Sequence, residues 1–447
     1  MTKKTYEYFK NKDGTLCAEA ISHYNHIIKY AKRYHLKNTL TAVKLAVYLH
    51  NGQYRDGGQP YIIHPLEATN YLILLNVKNP IHSMNINRFH DNKTAWEKTK
   101  QDLDILLSTT ILHDVAEECQ KKLPKKGAEL ETKYKLHPDI FRFVNILTKH
   151  KEKPDYTLDG YFREIGMYWQ TSIAKIADRV SNCSTIDAFN KKRMEKYVRE
   201  IVKYFYPMIY NSKIQYPAFS KVLTIMNFLI VSISESVASV LNLDGVINDV
   251  DYQKTFSYLE KLADTKAMPN TRKALSLSKI YYKNLKRKSG DDFIIHPLRV
   301  CSFLIELKIT DDKICAAALL HEVIKKCNLP YHGAELIAEK HLDPCVLDYI
   351  RTMANSENYP LDMYYKTISQ YPEVMLLKLA NRAHTCTSLI NSSDDEIIKY
   401  VEECETFLYP LCEYGIKHYR QYANSIEIMN FQIRSLCNIV KSLRLHD

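Results

Sequence analysis

The chain has 447 residues, 46% hydrophobic and 25% charged, and carries a net charge of +11. That is the composition of an ordinary globular protein of two to three domains, and it excludes a disordered or fibrous chain. Glycine is scarce at 11, alternating β-branched runs are rare, and long stretches repeat apolar residues with a 3.6 period, so the sequence predicts an all-α fold. The cysteines number 11, contain no CxxC pair and follow no secretory leader, which predicts reduced thiols in a cytoplasmic protein. Basic residues fall in short clusters such as Lys121-Lys122 and Lys191-Lys192-Arg193. No zinc-finger, helix-turn-helix or RNA-binding signature accompanies them, so solvated helix faces or a phosphate-rich small ligand explain them better than nucleic acid.

Residues 1–37 predict a helical cap, with Tyr24, Ile27, Ile28 and Ala31 as its apolar stripe. Asn38-Thr39 predicts an N-cap for a helix from Leu40 to Tyr54. Gly57, Gly58 and Pro60 then make a loop, and Pro65 suits the first turn of a helix from Leu66 to Leu75, which puts His64 at a helix start. Residues 78–101, with Asn79-Pro80, His82, His90 and Trp96, predict an irregular insertion whose histidines are more simply surface residues than ligands.

Leu107, Ile111 and Val115 recur at helical spacing, so Ile111 to Glu118 predicts one continuous amphipathic helix. On it Glu117 would lie over His113, and Glu118 over Asp114. A helix from Pro138 to Lys149, a mobile loop over 150–160 and a long helix over 161–186 follow. In that last helix Ile173, Ile176, Ala177 and Val180 face the core, while Asp178, Asn182 and Thr185 share another face. Val222 to Leu241, with Glu235 as its sole charge, has the length of a membrane span.

The chain also repeats itself. Tyr61-Ile62-Ile63-His64-Pro65-Leu66 matches Phe293-Ile294-Ile295-His296-Pro297-Leu298 at an offset of 232. Leu112-His113-Asp114-Val115 matches Leu320-His321-Glu322-Val323 at 208, the difference of 24 being the insertion. Lys175-Ile176-Ala177-Asp178-Arg179 matches Lys378-Leu379-Ala380-Asn381-Arg382 at 203, an offset that holds through Ile428-Met429-Asn430-Phe431. The reading is two copies of one helical domain, 38–242 and 270–447, joined by a connector over 243–269. The counterpart of Val222–Leu241 carries Glu427, Arg434 and Lys441, which makes it an amphipathic helix of a soluble core, and no membrane span is expected.

The first copy holds His64, His113, Asp114 and Asp178, a mixed nitrogen and oxygen set suited to Mn²⁺, Fe²⁺ or Zn²⁺. Taken singly, each has an ordinary role as a helix cap or an exposed acid. Their appearance in order, together with coordinated change in the second copy, is what points to a site. There His296, His321 and Glu322 remain, but Asn381 replaces the second acid, and Lys325-Lys326 replaces Glu117-Glu118. Positive charge opposes a cation, so the second copy is expected to have lost the metal. It is then either a structural copy or a second ligand site built from Arg287, Lys288, His296 and His321.

These residues resemble the HD superfamily of metal-dependent phosphohydrolases, and more narrowly the RelA/SpoT-family hydrolase domain that removes the 3′-pyrophosphate of (p)ppGpp with Mn²⁺. The resemblance rests on Arg55-x-Gly-Gly-x-Pro60-Tyr61-x-x-His64-Pro65, His113-Asp114-x-x-Glu117-Glu118, Leu147-Thr148-Lys149 and Ala177-Asp178-Arg179-x-x-Asn182-x-x-Thr185. It implies that His64, His113, Asp114 and Asp178 hold the metal, and that Glu117 and Glu118 handle protons around the attacking water. Arg55, Tyr61, Lys149, Asn182 and Thr185 would contact a phosphorylated nucleotide. The chain departs from the family at Asp56, where a basic residue is usual, at Glu118, where Asp is usual, and at Ser181, where His is usual. The expected activity is phosphohydrolysis of (p)ppGpp or a related nucleotide. The alternatives are a phosphodiesterase for a cyclic or 3′-phosphorylated nucleotide, and a non-catalytic nucleotide sensor. A homo-oligomer is compatible with the sequence.

Overall fold

A computed structural model describes residues 7–89, 91–125, 127–243, 252–287, 290–327, 333, 336, 339–354 and 359–445. Helices make up most of it, and among the described residues no strand forms. The chain divides into two compact units, Met1–Ser234 and Glu235–Asp447.

The first unit is assembled around the helix Asn92–Leu112, which is buried continuously from Asp102 to Leu112. It packs against Lys37–Leu49, Ile63–Leu74, Lys78–Phe89, Pro138–Leu147 and Trp169–Cys183. A helix this enclosed carries little polar contrast between its faces, and its buried Asp104 needs partners. Asp104 finds them at the start of Lys37–Leu49, accepting from the backbone N–H of Asn38 at 2.9 Å and of Thr39 at 2.7 Å. The helix expected from Leu40 to Tyr54 runs instead from Lys37 to Leu49 with Leu36 as its N-cap, so Asn38-Thr39 lie in its first turn, where the acceptor for their N–H groups comes from another helix.

Four further expectations need correction. The expected insertion over 78–101 is regular: Lys78–Phe89 is a helix, and Asn92–Leu112 begins at Asp91, whose carboxylate accepts from the backbone N–H of Thr94 at 2.9 Å. His82 bonds Thr99 and meets Trp96 edge-on, so it is a packing residue, while His90 lies outside the described residues. The expected helix over 161–186 is two helices, Leu158–Gly166 and Trp169–Cys183, separated where Tyr168 is extended. The expected connector holds a helix, Tyr252–Thr265, packed on Pro269–Tyr281 and Ile295–Glu306 of the second unit. The fourth correction concerns His113 and belongs with the site.

The second unit contains the same local devices. Asp312 accepts from the backbone N–H of Asn270 at 3.0 Å and of Thr271 at 2.8 Å, as Asp104 does for Asn38 and Thr39. Tyr161 donates to the Leu147 carbonyl at 2.7 Å and Tyr364 to that of Met353 at 3.1 Å. Arg179 pairs with Glu200 just before a π-helical turn at Ile201–Phe205, and Arg382 pairs with Glu403 just before one at Cys404–Leu408. Gly58 and Gly290 both take φ near +80° to +90° in the turn that precedes the histidine helix, a backbone region open to glycine.

Among the described residues one helix, Pro217–Leu241, is long and apolar enough to cross a membrane by length and composition, and 72% of its most apolar stretch is buried in the folded chain.

Candidate metal centre

His64 enters from the first turn of Ile63–Leu74, and Asp178 from the middle of Trp169–Cys183. His113 and Asp114 come from a break in the chain. The continuous helix expected through Glu118 ends at Leu112, and a short turn of helix resumes at Val115–Glu118. Adjacent residues on an unbroken helix diverge by about 100°. The break lets both side chains turn to one point.

There, His64 Nε2 lies 3.0 Å from Asp178 Oδ1 and 3.4 Å from Asp114 Oδ2. His113 Nε2 lies 3.0 Å from Asp114 Oδ1, 3.3 Å from Asp178 Oδ1 and 3.3 Å from His64 Nε2. Ligands about 2.1 Å from a metal stand about 3.0 Å apart when cis in an octahedron and about 3.4 Å apart in a tetrahedron. The observed spacing fits a first-row divalent cation. His64, His113 and Asp114 also qualify together as a ligand cluster.

The imidazoles are held for this purpose. His113 Nδ1 lies 2.8 Å from the Thr110 carbonyl, which fixes its hydrogen there and leaves Nε2 with a lone pair facing the centre. His64 Nδ1 lies 2.9 Å from Ser181 Oγ, and Ser181 donates its hydrogen to Glu67. Ser181 thus accepts from His64 Nδ1–H, and the Nε2 lone pair again faces inward. Glu67 is the only acid in a helix buried along its whole length. Sequence reasoning passed over it, although an isolated acid in an otherwise enclosed helix was a usable signal. Ser181 drew notice only as a departure from a family pattern.

The electrostatics suit a cation. Burial alone would lower the pKa of His113, but Asp114 and Asp178 outweigh it and raise the group to about 10. Burial pushes both carboxyls up, and their cationic neighbours more than reverse it, His113 at Asp114 and Lys175 with His113 at Asp178. The two carboxylates thus favour positive charge at the point the two Nε2 atoms face. Tyr61 donates to Asp114 Oδ2 at 2.8 Å and stacks on His50, so it braces a ligand.

The acid pair separates. Glu117 does not lie over His113; it accepts the backbone N–H of Lys149 at 2.5 Å and so ties down the segment after Pro138–Leu147. Glu118 stays at the rim, its pKa raised by burial, then by Asp114 and Glu117. Beside the centre, Arg55 donates to Asn182 Oδ1 at 3.1 Å and to Thr185 Oγ1 at 2.7 Å, and Asn182 donates to Asp178 Oδ1 at 2.6 Å. Lys149 is half-buried, its pKa lowered by burial and by Lys175. Asp56 faces outward and pairs with Arg193 at 2.5 Å.

In the second unit His296 Nε2 lies 3.2 Å from His321 Nε2, and His321 Nε2 lies 3.7 Å from Glu322 Oε1. These three are also close enough to form a ligand cluster. Their surroundings differ, however. Burial, His321 and Arg287 hold His296 well below its ordinary pKa. Lys288, expected in a second ligand site, lies outside the described residues.

Comparison with known proteins finds distant likeness over part of the chain. The chain is 24% identical over 166 residues to a guanosine-3′,5′-bis(diphosphate) 3′-pyrophosphohydrolase of Borreliella burgdorferi, covering 34% of this chain and 24% of that one. It is 27% identical over 189 residues to the bifunctional (p)ppGpp synthase/hydrolase SpoT of Escherichia coli, covering 39% and 26%. It is 30% identical over 130 residues to a probable guanosine-3′,5′-bis(diphosphate) 3′-pyrophosphohydrolase of Mycoplasma genitalium, covering 26% and 18%. The chain spans about a quarter of the length of these curated relatives. No protein-family model matches it, and no solved structure does. The similarity is to nucleotide phosphohydrolases.

Proposed function

We propose that the chain is two copies of one HD-type helical domain, and that the first is a metal-dependent phosphohydrolase removing the 3′-pyrophosphate of (p)ppGpp or a related phosphorylated nucleotide. The observation that carries this reading is that both histidine Nε2 atoms lie 3.0 to 3.4 Å from carboxylate oxygens of Asp114 and Asp178, with each ring's Nδ1 tied back. The paired devices of the two units support the duplication.

A bound divalent cation, Mn²⁺ by family resemblance, supplies acidification of water and neutralisation of phosphoryl charge. The protein's own groups do the rest. Arg55, Asn182 and Thr185 form a polar shelf beside Asp178 that suits the nucleoside, and Lys149 offers a cation for the phosphates. Water attacks the phosphorus attached to O3′, Glu118 accepts the water's proton, and the P–O3′ bond breaks with O3′ taking a proton from solvent to leave as the 3′-hydroxyl. The raised pKa of Glu118 brings it closer to the pH at which a general base works best. Glu117 is committed to Lys149 and acts as a brace.

The test is incubation of the full chain with Mn²⁺ and a panel of ppGpp, cyclic and 3′-phosphorylated nucleotides, following phosphate and pyrophosphate release. Turnover of ppGpp that disappears in His113→Ala and Asp178→Ala is expected. Tight binding of one nucleotide without turnover of any would replace the enzyme reading with a sensor.

A further inference from the structure

We infer that the second unit binds a phosphoryl anion, the phosphate or pyrophosphate group of a small ligand, without a metal, at the basic cluster of Arg287, Arg299, Lys326 and the imidazoles of His296 and His384.

Seven charged positions around the first centre are Arg55, Glu67, Asp114, Glu117, Glu118, Lys175 and Asp178. At the same offsets the second unit has Arg287, Arg299, Glu322, Lys325, Lys326, Lys378 and Asn381. Five acids and two bases become one acid, five bases and an amide. The exchange extends to the residues that orient the histidine. Where His64, Ser181 and Glu67 form a chain, the second unit has His296, His384 and Arg299. His296 Nδ1 faces His384 Nδ1 at 2.8 Å, so one of the two carries the hydrogen and the other accepts it. His321 Nδ1 lies 2.8 Å from the Ala318 carbonyl and donates there. Its Nε2 then accepts, and a hydrogen on His296 Nε2 satisfies the 3.2 Å contact with it. That tautomer turns an N–H, not a lone pair, toward the place a cation would need.

The inversion of charge, together with these histidine contacts, carries the inference. Burial and Arg299 lower the pKa of Arg287 to about 10, against the opposing pull of Asp291 and Glu235. Burial likewise lowers Arg299, with Glu235 and Asp291 again opposing. Both arginines are half-buried and stand at the positions of Arg55 and Glu67, and Glu322 is the one acid kept at the counterparts of the first centre's five. Arg287 Nη2 donates to Ser388 Oγ at 2.7 Å, and Lys326 Nζ sits 5.7 Å over the Phe293 ring. A guanidinium held in place, as Arg287 is by Ser388, matches phosphoryl oxygens by shape as well as charge. The Arg287–Ser388 bond also repeats the Arg55–Thr185 bond, so the polar shelf persists while the metal side has inverted.

The experiment is titration calorimetry of the full chain in EDTA with inorganic pyrophosphate and, separately, GDP. Saturable binding is expected, at least tenfold weaker in Arg299→Gln. Lys326→Ala, at an exposed position that leaves the fold intact, is expected to weaken it severalfold. Tighter binding of GDP assigns the anion to a nucleotide, and equal binding assigns it to free pyrophosphate. Mn²⁺-dependent turnover is expected to survive both substitutions, so failure here is separable from failure of the hydrolase reading. The inference is overturned by absent binding in EDTA, by binding that neither substitution weakens, or by a second metal ion per chain that His321→Ala removes.

Discussion

Ser181 Oγ stands 2.9 Å from His64 Nδ1 and passes its own hydrogen to Glu67, so a buried carboxylate governs which nitrogen of His64 faces the centre. Removing the hydroxyl frees the ring to take the other tautomer. Ser181→Ala and Glu67→Gln are each expected to weaken Mn²⁺ binding about 10- to 100-fold, as outer partners of metal-binding histidines do. Calorimetric titration of the metal checks this. An affinity unchanged in both variants would mean that His64 is oriented by packing alone.

The two adjacent glutamates are expected to separate in a kinetic test. Glu118→Gln keeps the metal and lowers kcat by about 10²- to 10⁴-fold, the range for loss of a general base. Because burial and its acidic neighbours raise the pKa of Glu118, the wild-type rate falls on the acid side at a pH above the ordinary glutamate value, and that limb vanishes in the variant. Glu117→Gln replaces a carboxylate held by the Lys149 N–H and is expected to raise KM more than it lowers kcat. A matching loss of kcat in both variants would return the proton transfer to the pair.

The all-α class was legible in the sequence because 3.6 periodicity survives without knowledge of packing, and so was the approach of His64 and His113 to Asp114 and Asp178, which stand in a family's order. The break at His113-Asp114 was not legible. Leu107, Ile111 and Val115 keep helical spacing across it, and the reason to break is convergence on His64 and Asp178, which are distant in sequence. The helix Lys78–Phe89 was missed because its polar residues satisfy one another across a tertiary contact, Asn85 with Asp102 and His82 with Thr99. Glu67 was missed because an acid reads as solvent-facing until its helix is seen to be wholly enclosed.

Arg55 bonds Asn182 and Thr185 at once, and Asn182 bonds Asp178. Arg55→Ala is expected to raise KM for the nucleotide at least tenfold while Mn²⁺ affinity stays within about threefold, since the guanidinium adds roughly 1.5–3 kcal/mol per charged hydrogen bond to whatever it holds. Steady-state kinetics alongside metal titration decides it. A fall in metal affinity equal to the rise in KM would make Arg55 a support of Asp178 rather than a substrate contact.

Asp56 does not place its charge on the pocket; it pairs with Arg193 at the surface. Exposed pairs contribute about 0–1 kcal/mol. Asp56→Ala is expected to shift the unfolding midpoint little and to leave kcat/KM within about twofold. A gain in ppGpp turnover of tenfold or more would show that Asp56 does reach the phosphates.

Lys175 and Lys378 occupy equivalent places and behave oppositely. Lys175 lies 2.8 Å from Asp178, and despite burial this partner holds its pKa well above the ordinary value. Lys378 has Asn381 in place of that acid, and burial followed by Arg382 lowers it to about 7, with Glu403 opposing. Its folded pKa is depressed below its unfolded one. Below about pH 7 both states carry the proton and the full penalty of burying the charge applies. Between about 7 and 10.5 the unfolded chain keeps the proton and the folded chain does not, so stability rises with pH by up to about 1.4 kcal/mol per unit. Lys378→Met removes this group. Its midpoint of unfolding is expected to exceed that of the wild type at pH 7, with the difference shrinking steadily toward pH 10. Asn381→Asp supplies the missing partner and is expected to shrink it at pH 7 as well. A difference between wild type and Lys378→Met that stays constant across that range would show that Lys378 is charged and paired in the folded chain.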